Sequence, residues 1–119
     1  ADASRAAGLT THVGPIVTSD VFYDPHPDGV IRWGRRGYLA AEMESAAVFL
    51  LAMRERGKGR AVRAGTILTV SDVIRDPDDP DTRMLGSEAW YRLPEDELIA
   101  RIDLTIGASL TAAEALGRS

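Results

Sequence analysis

The sequence contains no cysteine, and this absence excludes two kinds of structure. Without thiols the chain can form neither a disulfide framework nor a thiolate zinc site, and it is compatible with a reducing cytosol. An excess of basic residues is absent too, since 14 lysines and arginines stand against 18 acidic residues, a net charge of −4. Because affinity for a phosphate backbone depends on concentrated positive charge, we predict no nucleic-acid partner.

Long apolar runs are also missing. No stretch reaches the roughly 18 apolar residues that a membrane span needs, and Ala1 to Ala7 lacks the apolar segment of a secretion signal. We therefore expect no membrane association and a cytoplasmic location. The two histidines, His12 and His26, offer little support for a metal site, and we predict none. Because the first residue is alanine rather than methionine, we expect that an upstream segment has been removed.

The remaining pattern predicts one α/β domain or a part of one, since 119 residues can bury one modest core. Val13 to Ser19 is typical of a strand, Val30 to Arg36 of a short helix ending at Gly37, and Tyr38 to Met43 of a buried strand. Ser45 to Arg56 is apolar almost throughout, which predicts a core helix.

A further strand and a long helix are predicted in the second half. The β-branched run Gly65 to Val70 predicts a strand covered on both faces, with Ser71-Asp72 where it stops. Asp76 to Asp81 alternates aspartate with proline and predicts a loop. A helix is expected from Pro94, covering one face of a largely parallel sheet. Its apolar stripe consists of Leu98, Ile102, Ile106, Leu110, Ala113 and Leu116.

Polar clusters follow all three predicted strands, and parallel sheets bind ligands outside the carboxyl ends of their strands. The clusters are Thr18 to Tyr23, Glu42 to Ser45, and Ser71-Asp72. A carboxylate accepts two hydrogen bonds, so Glu44 suits the adjacent hydroxyls of a sugar, with the soft side chain of Met43 on the ring. The alternative is that Glu44 caps the helix while Glu42 is solvated.

Asp72 and the aromatic pair also have two interpretations each. Partial burial of Asp72 after an apolar strand favours a protonated side chain that can donate to a leaving group, but Ser-Asp after a strand is more often an ordinary turn or helix cap. Phe22-Tyr23 can stack on a planar base, although adjacent aromatic residues are more often part of a core or wall.

Taken together, the three clusters resemble a known pattern in order and spacing. Val13-Gly14 to Tyr23, Gly37 to Ala46, and Ile67 to Asp72 resemble the carboxyl-terminal half of the purine nucleoside phosphorylase and uridine phosphorylase family. The resemblance covers roughly two thirds of the chain. It implies a three-layer α/β/α fold with a mostly parallel central sheet, in which residues 1–119 form the carboxyl-terminal part of a single domain.

The resemblance also implies an activity and a set of site residues. The reaction is phosphorolysis of purine nucleosides, with Asp72 as the catalytic acid at the purine ring. Arg75 and Arg83 are candidates to assist it. The usual bacterial uridine phosphorylases carry a glutamine and an arginine after the aromatic pair and lack Ser-Asp at the later strand end. Here Asp24-Pro25-His26-Pro27 follows the pair and Ser71-Asp72 is present, so the resemblance favours a purine base over uracil. The substrate-binding residues implied are Phe22, Tyr23, Glu42, Met43, Glu44 and Ser71.

Inorganic phosphate is the implied co-substrate, and no cofactor is expected. The family's phosphate-binding loop and arginines have no counterpart in Ala1 to Thr11. We therefore expect these residues to be inactive alone and to associate with an amino-terminal half, or to form a homo-oligomer, either a trimer or a trimer of dimers. Two alternatives remain, namely a hydrolytic nucleosidase of the same superfamily and a nucleoside-binding module without turnover.

Overall fold

A computed structural model describes residues 1–26, 28–80 and 90–117 of the chain. The mixture of helices and strands confirms the predicted α/β class. In chain order the elements are α1 (Asp2–Ala6), β1 (Ile16–Thr18), α2 (Ile31–Gly34), β2 (Ala40–Glu42), α3 (Ser45–Gly57), β3 (Asp72–Ile74), β4 (Trp90–Arg92) and α4 (Glu95–Gly117). They divide into two compact units, Gly14–Thr66 (the α3 unit) and Ala1–Val13 with Ile67–Ser119 (the α4 unit).

The α3 unit contains the predicted parallel strand pair. β1 and β2 pair in parallel, with Thr18 opposite Glu42, and both strands are shorter than predicted. Helix α2 connects them and ends in a tight turn, where Gly37 adopts a φ of +87° that residues with a Cβ rarely adopt. After this turn Tyr38 N–H donates to the carbonyl oxygen of Trp33 at 3.1 Å, and their rings meet edge to face. The turn thereby returns the chain towards β1.

Helix α3 lies almost where the sequence predicts it, but it is not buried as a core helix. Within the described chain its buried residues are Ser45 and Ala52. Leu50 and Met53 are 63% and 65% exposed. A helix that is apolar on all sides needs cover on all sides. The described residues provide too little of that cover, which is why the prediction of burial is wrong here.

The α4 unit departs further from the predicted sheet. β3 and β4 pair antiparallel, with Asp72 opposite Arg92, instead of adding parallel strands. Residues 65–70 are not assigned to a strand, so the prediction of a strand there is wrong. A β-branched run becomes a strand only where a neighbouring strand supplies hydrogen-bond partners. Here Thr69 Oγ1 instead donates to Thr105 Oγ1 of α4 at 2.8 Å.

Helix α4 has the predicted start but a different packing partner. Its first turn is acidic, and Glu97 pairs with Arg101 one turn later at 2.6 Å, an arrangement that favours the helix. Its extensive contacts are with α1 rather than with a sheet, which corrects the predicted role. The buried residue is Ala108, whereas Ile106 and Leu110 of the predicted stripe are exposed. No helix in the described ranges is long and apolar enough to cross a membrane.

The burial of Ala108 predicts a position-specific loss of stability. Ala108 is 3% exposed, so Ala108→Leu forces extra methylenes into an occupied space and should lower the free energy of unfolding by about 1–3 kcal/mol. Urea denaturation of the full-length protein measures this. The control is Ala100→Leu on an exposed side of the same helix, expected within about 0.5 kcal/mol of wild type. Equal losses in both variants would contradict the assigned packing.

Candidate functional site

The first cluster lies in the α3 unit where β1, β2 and the start of α3 meet; its residues are Thr18, Glu42, Met43, Glu44 and Ser45, and we call it the Glu42 cluster. Thr18 Oγ1 donates a short hydrogen bond to Glu42 Oε1. The other oxygen, Oε2, accepts from the backbone N–H of Glu44 at 2.9 Å and of Ser45 at 2.7 Å. Both carboxylate oxygens of Glu42 are thus engaged by the chain itself.

These bonds satisfy the first turn of α3. The first N–H groups of a helix have no partner within the helix, and negative charge near them is favourable. Glu42 supplies that charge, and Thr18 Oγ1 also accepts from the N–H of Ala46 at 3.2 Å. Glu44 occupies the N-cap position but makes no capping hydrogen bond with its side chain. The alternative of a capping Glu44 and a solvated Glu42 is therefore wrong, because the two roles are reversed.

The hydrogen bonds of Glu42 also set its ionisation. The hydroxyl of Thr18 is the largest cause, and together with the N–H groups of Glu44 and Ser45 it lowers the pKa of Glu42 from 4.5 to about 2. Desolvation opposes this shift but is outweighed. Each donor stabilises the charged form, which accounts for the direction. Glu42 is consequently an anion at neutral pH.

Met43 and Glu44 form the short link between β2 and α3, and both are exposed. Glu44 Oε2 accepts one weak hydrogen bond, from Met43 N–H at 3.3 Å. A carboxylate has about four acceptor positions, so Glu44 keeps most of its capacity for a ligand. Of the two glutamates, Glu44 is therefore the one with more acceptor positions left for a ligand.

The aromatic pair follows β1 in the same unit. The rings of Phe22 and Tyr23 meet edge to face, with centroids 5.1 Å apart. They are 76% and 87% exposed, so they are not part of a core in the described structure. Just before them Val21 N–H donates to Ser19 Oγ at 3.1 Å, which bends the chain after the strand. Exposed ring faces are available for stacking on a planar group.

The second cluster lies in the α4 unit and consists of Ser71, Asp72 and Arg92, which we call the Asp72 cluster. Ser71 Oγ donates to Asp72 Oδ2 at 2.5 Å. Arg92 Nε lies 3.4 Å from the other oxygen, Oδ1, which is buried and makes no hydrogen bond of good geometry. Asp72 begins β3 instead of following a strand, which corrects the expected placement. Its carboxyl group is nonetheless half-buried beside a cation.

The sequence alone does not point to Arg92, and the arginines that it suggests are Arg75 and Arg83. Arg92 faces Asp72 because β3 and β4 pair antiparallel with these two residues in register. The Nε of Arg75 is buried without a hydrogen-bond partner among the described residues, and Arg83 lies outside them. The usable signal was the segment Trp90-Tyr91-Arg92, a short β-rich run just before the helix-starting proline. In the described ranges no three histidine, aspartate or glutamate side chains group as metal ligands.

The α3 unit of this α/β protein presents an open carboxylate and exposed aromatic rings, and the α4 unit presents an acid–guanidinium pair. Comparison with known proteins gives the family. Residues 1–92 match the model of the Phosphorylase superfamily. That match covers more than half of the chain, and the chain belongs to this superfamily.

Individual relatives carry a more specific name. The chain is 40% identical over 79 residues to a purine nucleoside phosphorylase DeoD-type of Streptococcus pyogenes serotype M5, covering 66% of this chain and 31% of that relative. The DeoD-type protein of Streptococcus uberis is 42% identical over 76 residues, which are 64% of this chain and 30% of the relative. The chain thus spans about a third of the length of the curated relatives it matches. No solved structure matches it.

The lowered pKa of Glu42 predicts a specific dependence of stability on pH. A carboxyl group whose pKa is lower in the folded than in the unfolded state adds to the free energy of unfolding. For Glu42 this contribution is complete at pH values above 4.5, and it is lost as the pH falls towards about 2. Glu42→Gln should therefore be less stable than wild type at pH 6, and the difference should shrink between pH 4.5 and 2.

Urea denaturation across this pH range measures the difference. Glu44→Gln is the matched control, because its carboxylate has only one weak backbone partner, and we expect its difference from wild type to change less with pH. A constant difference for Glu42→Gln over the whole range would contradict the assigned hydrogen bonds.

Proposed function

We propose that the full-length protein cleaves the N-glycosidic bond of purine ribonucleosides and deoxyribonucleosides by phosphorolysis, giving the free base and ribose or deoxyribose 1-phosphate. The residues of this chain contact the sugar and the base. The observation that carries the proposal is the pairing of the Asp72 carboxyl with the Arg92 guanidinium, in a chain that is 40% identical over 79 residues to a purine nucleoside phosphorylase DeoD-type.

Asp72 acts as the general acid. As phosphate oxygen attacks the anomeric carbon, the bond between that carbon and the base breaks, and its electron pair moves to the purine. A positioned acid that protonates the purine relieves this negative charge. Arg92, 3.4 Å away, stabilises the carboxylate that Asp72 becomes after donating its proton. Ser71 binds the other oxygen and holds the carboxyl group in one orientation.

Glu44 binds the sugar, and its largely free carboxylate accepts hydrogen bonds from the two adjacent hydroxyls. Met43 packs on the sugar ring, and Phe22 with Tyr23 stacks against the base. The transition state carries positive charge on the sugar ring, which a nearby carboxylate stabilises. The open carboxylate of Glu44 and the exposed ring faces support these assignments.

Phosphate is the second substrate, and no cofactor takes part. We further propose that the protein works as a homo-oligomer or together with an amino-terminal half of the phosphorylase domain. Support comes from the exposed apolar side chains of α3, among them Leu50, Leu51 and Met53, which would be costly to leave in water.

Base release by the full-length protein tests the reaction. We expect release of hypoxanthine from inosine, or of adenine from adenosine, only when phosphate is present. Asp72→Asn keeps the shape but cannot donate a proton, so kcat should fall about 10²- to 10⁴-fold. Asp96→Asn, in the exposed first turn of α4, is the control and should match wild type.

Two outcomes would overturn the proposal. Equal turnover with and without phosphate would indicate a hydrolytic nucleosidase. Calorimetric binding of nucleoside with no base release under any condition would indicate a binding module.

The role of Arg92 is tested by a double-mutant cycle. If Arg92 acts through the Asp72 carboxylate, Arg92→Gln should lower kcat about 10- to 100-fold in wild type but have little further effect in the Asp72→Asn background. Arg101→Gln, which removes an exposed arginine paired with Glu97, is the control and should leave kcat unchanged. Independent, additive effects of the Arg92 and Asp72 substitutions would show that Arg92 does not act through Asp72.

A further inference from the structure

We propose that Thr18 and Glu42 are positioning residues, which fix the start of α3 and thereby hold the Glu44 carboxylate in the orientation that binds the sugar. This inference rests on the proposed function. It assigns Glu42 a role different from direct substrate binding, and it gives a specific role to Thr18, which the sequence places only at the start of the polar cluster Thr18 to Tyr23.

Four hydrogen bonds join three elements at this point. Thr18 at the end of β1 donates to Glu42 at the end of β2, its partner in the parallel register. Glu42 then accepts from Glu44 N–H at 2.9 Å and Ser45 N–H at 2.7 Å. The hydroxyl of Thr18 accepts from Ala46 N–H at 3.2 Å. A single Thr–Glu pair thus holds three consecutive backbone amides.

The link from β2 to α3 contains only Met43 and Glu44, which makes this restraint effective. With the N–H groups of Glu44 and Ser45 both held, the Cα of Glu44 has little freedom, and only its side-chain rotations remain. A ligand that binds an already oriented carboxylate loses less conformational entropy than one that must order the loop. The restraint therefore favours sugar binding without touching the sugar.

The burial of Ser45 gives the same point a second attachment. Ser45 is 4% exposed, and its Oγ donates to Thr66 Oγ1 at 3.3 Å within the same unit. The residue after Glu44 is therefore fixed through its backbone and its side chain. Both carboxylate oxygens of Glu42 already accept hydrogen bonds from the protein. In Glu44 only Oε2 accepts one, from Met43 N–H, so Glu44 is the better acceptor for a substrate hydroxyl.

The test compares two substrates that differ at the hydroxyl bound by Glu44. Thr18→Val removes the hydroxyl at constant shape. We expect it to lower the ratio of kcat/KM for inosine to that for 2′-deoxyinosine about tenfold, since a misplaced Glu44 loses its hydrogen bond to the 2′-hydroxyl. Thr18→Ser keeps the hydroxyl and should restore the wild-type ratio. Thr111→Val is the control: it removes a hydroxyl that donates a hydrogen bond to the carbonyl oxygen of Gly107 within α4, and it should leave the ratio unchanged.

Amide hydrogen exchange measures the same backbone restraint and does not depend on catalysis. In Thr18→Val and in Glu42→Gln, the amides of Glu44, Ser45 and Ala46 should exchange about tenfold faster than in wild type, while amides in the middle of α3 remain protected. The protected middle of the helix also shows that the variant has folded. Unchanged exchange at these three amides, or equal losses of kcat/KM for both nucleosides, would overturn the proposal.

The two proposals fail in distinguishable ways. If the wild-type protein releases no base in the presence of phosphate, the proposed reaction is wrong. Calorimetric affinities for inosine and 2′-deoxyinosine then replace the kinetic ratio. A preference for inosine that Thr18→Val abolishes would support positioning, and affinities that Thr18→Val leaves unchanged would overturn it.

Discussion

The hydrogen bond between Thr18 and Glu42 is the interaction on which the α3 unit depends. It joins two parallel strands at their carboxyl ends and, through the second oxygen of Glu42, continues into the backbone of α3. The first N–H groups of a helix have no partner within the helix. Here the ionised side chain of Glu42 accepts hydrogen bonds from two of them, while the backbone of Glu42 pairs with β1 as part of β2. The charge of Glu42 is stabilised by the donors around it, so the arrangement holds at neutral pH without a counter-ion.

The apolar character of α3 and α4 sets a second constraint. Each helix exposes large apolar side chains, such as Leu51 in α3 and Leu110 in α4, and the three-residue strands bury little of their own surface. Polar anchoring at the helix start is therefore more important here than in a fully covered domain. Local hydrogen bonds can keep the Glu42 cluster in shape even where hydrophobic burial contributes little, because they depend on neighbours within the same unit.

Local signals predicted much of the fold, and non-local pairing accounts for most of what they missed. Helix α3, the turn at Gly37 and the parallel β1–β2 pair follow from periodicity and glycine placement, which depend on nearby residues. The strand predicted at Gly65 to Val70 and the partner of Asp72 depend on which segment pairs with which. Arg92 is 20 residues from Asp72 and is brought opposite it by an antiparallel register that no local pattern encodes. The division of roles between Glu42 and Glu44 likewise depended on a hydroxyl 24 residues away.

That division of roles explains how two carboxylates can lie so close together at one strand end. Two unpaired anions two residues apart would repel each other, and each would resist ionisation. For Glu42 this cost is offset because a hydroxyl and two amide donors stabilise its charge, while Glu44 keeps most of its acceptor positions for a ligand. Replacing Glu42 with a neutral residue would therefore remove a like charge near Glu44, yet we expect binding to weaken, since the lost amide restraint outweighs the relieved repulsion. The sign of that effect separates an electrostatic role of Glu42 from a positional one.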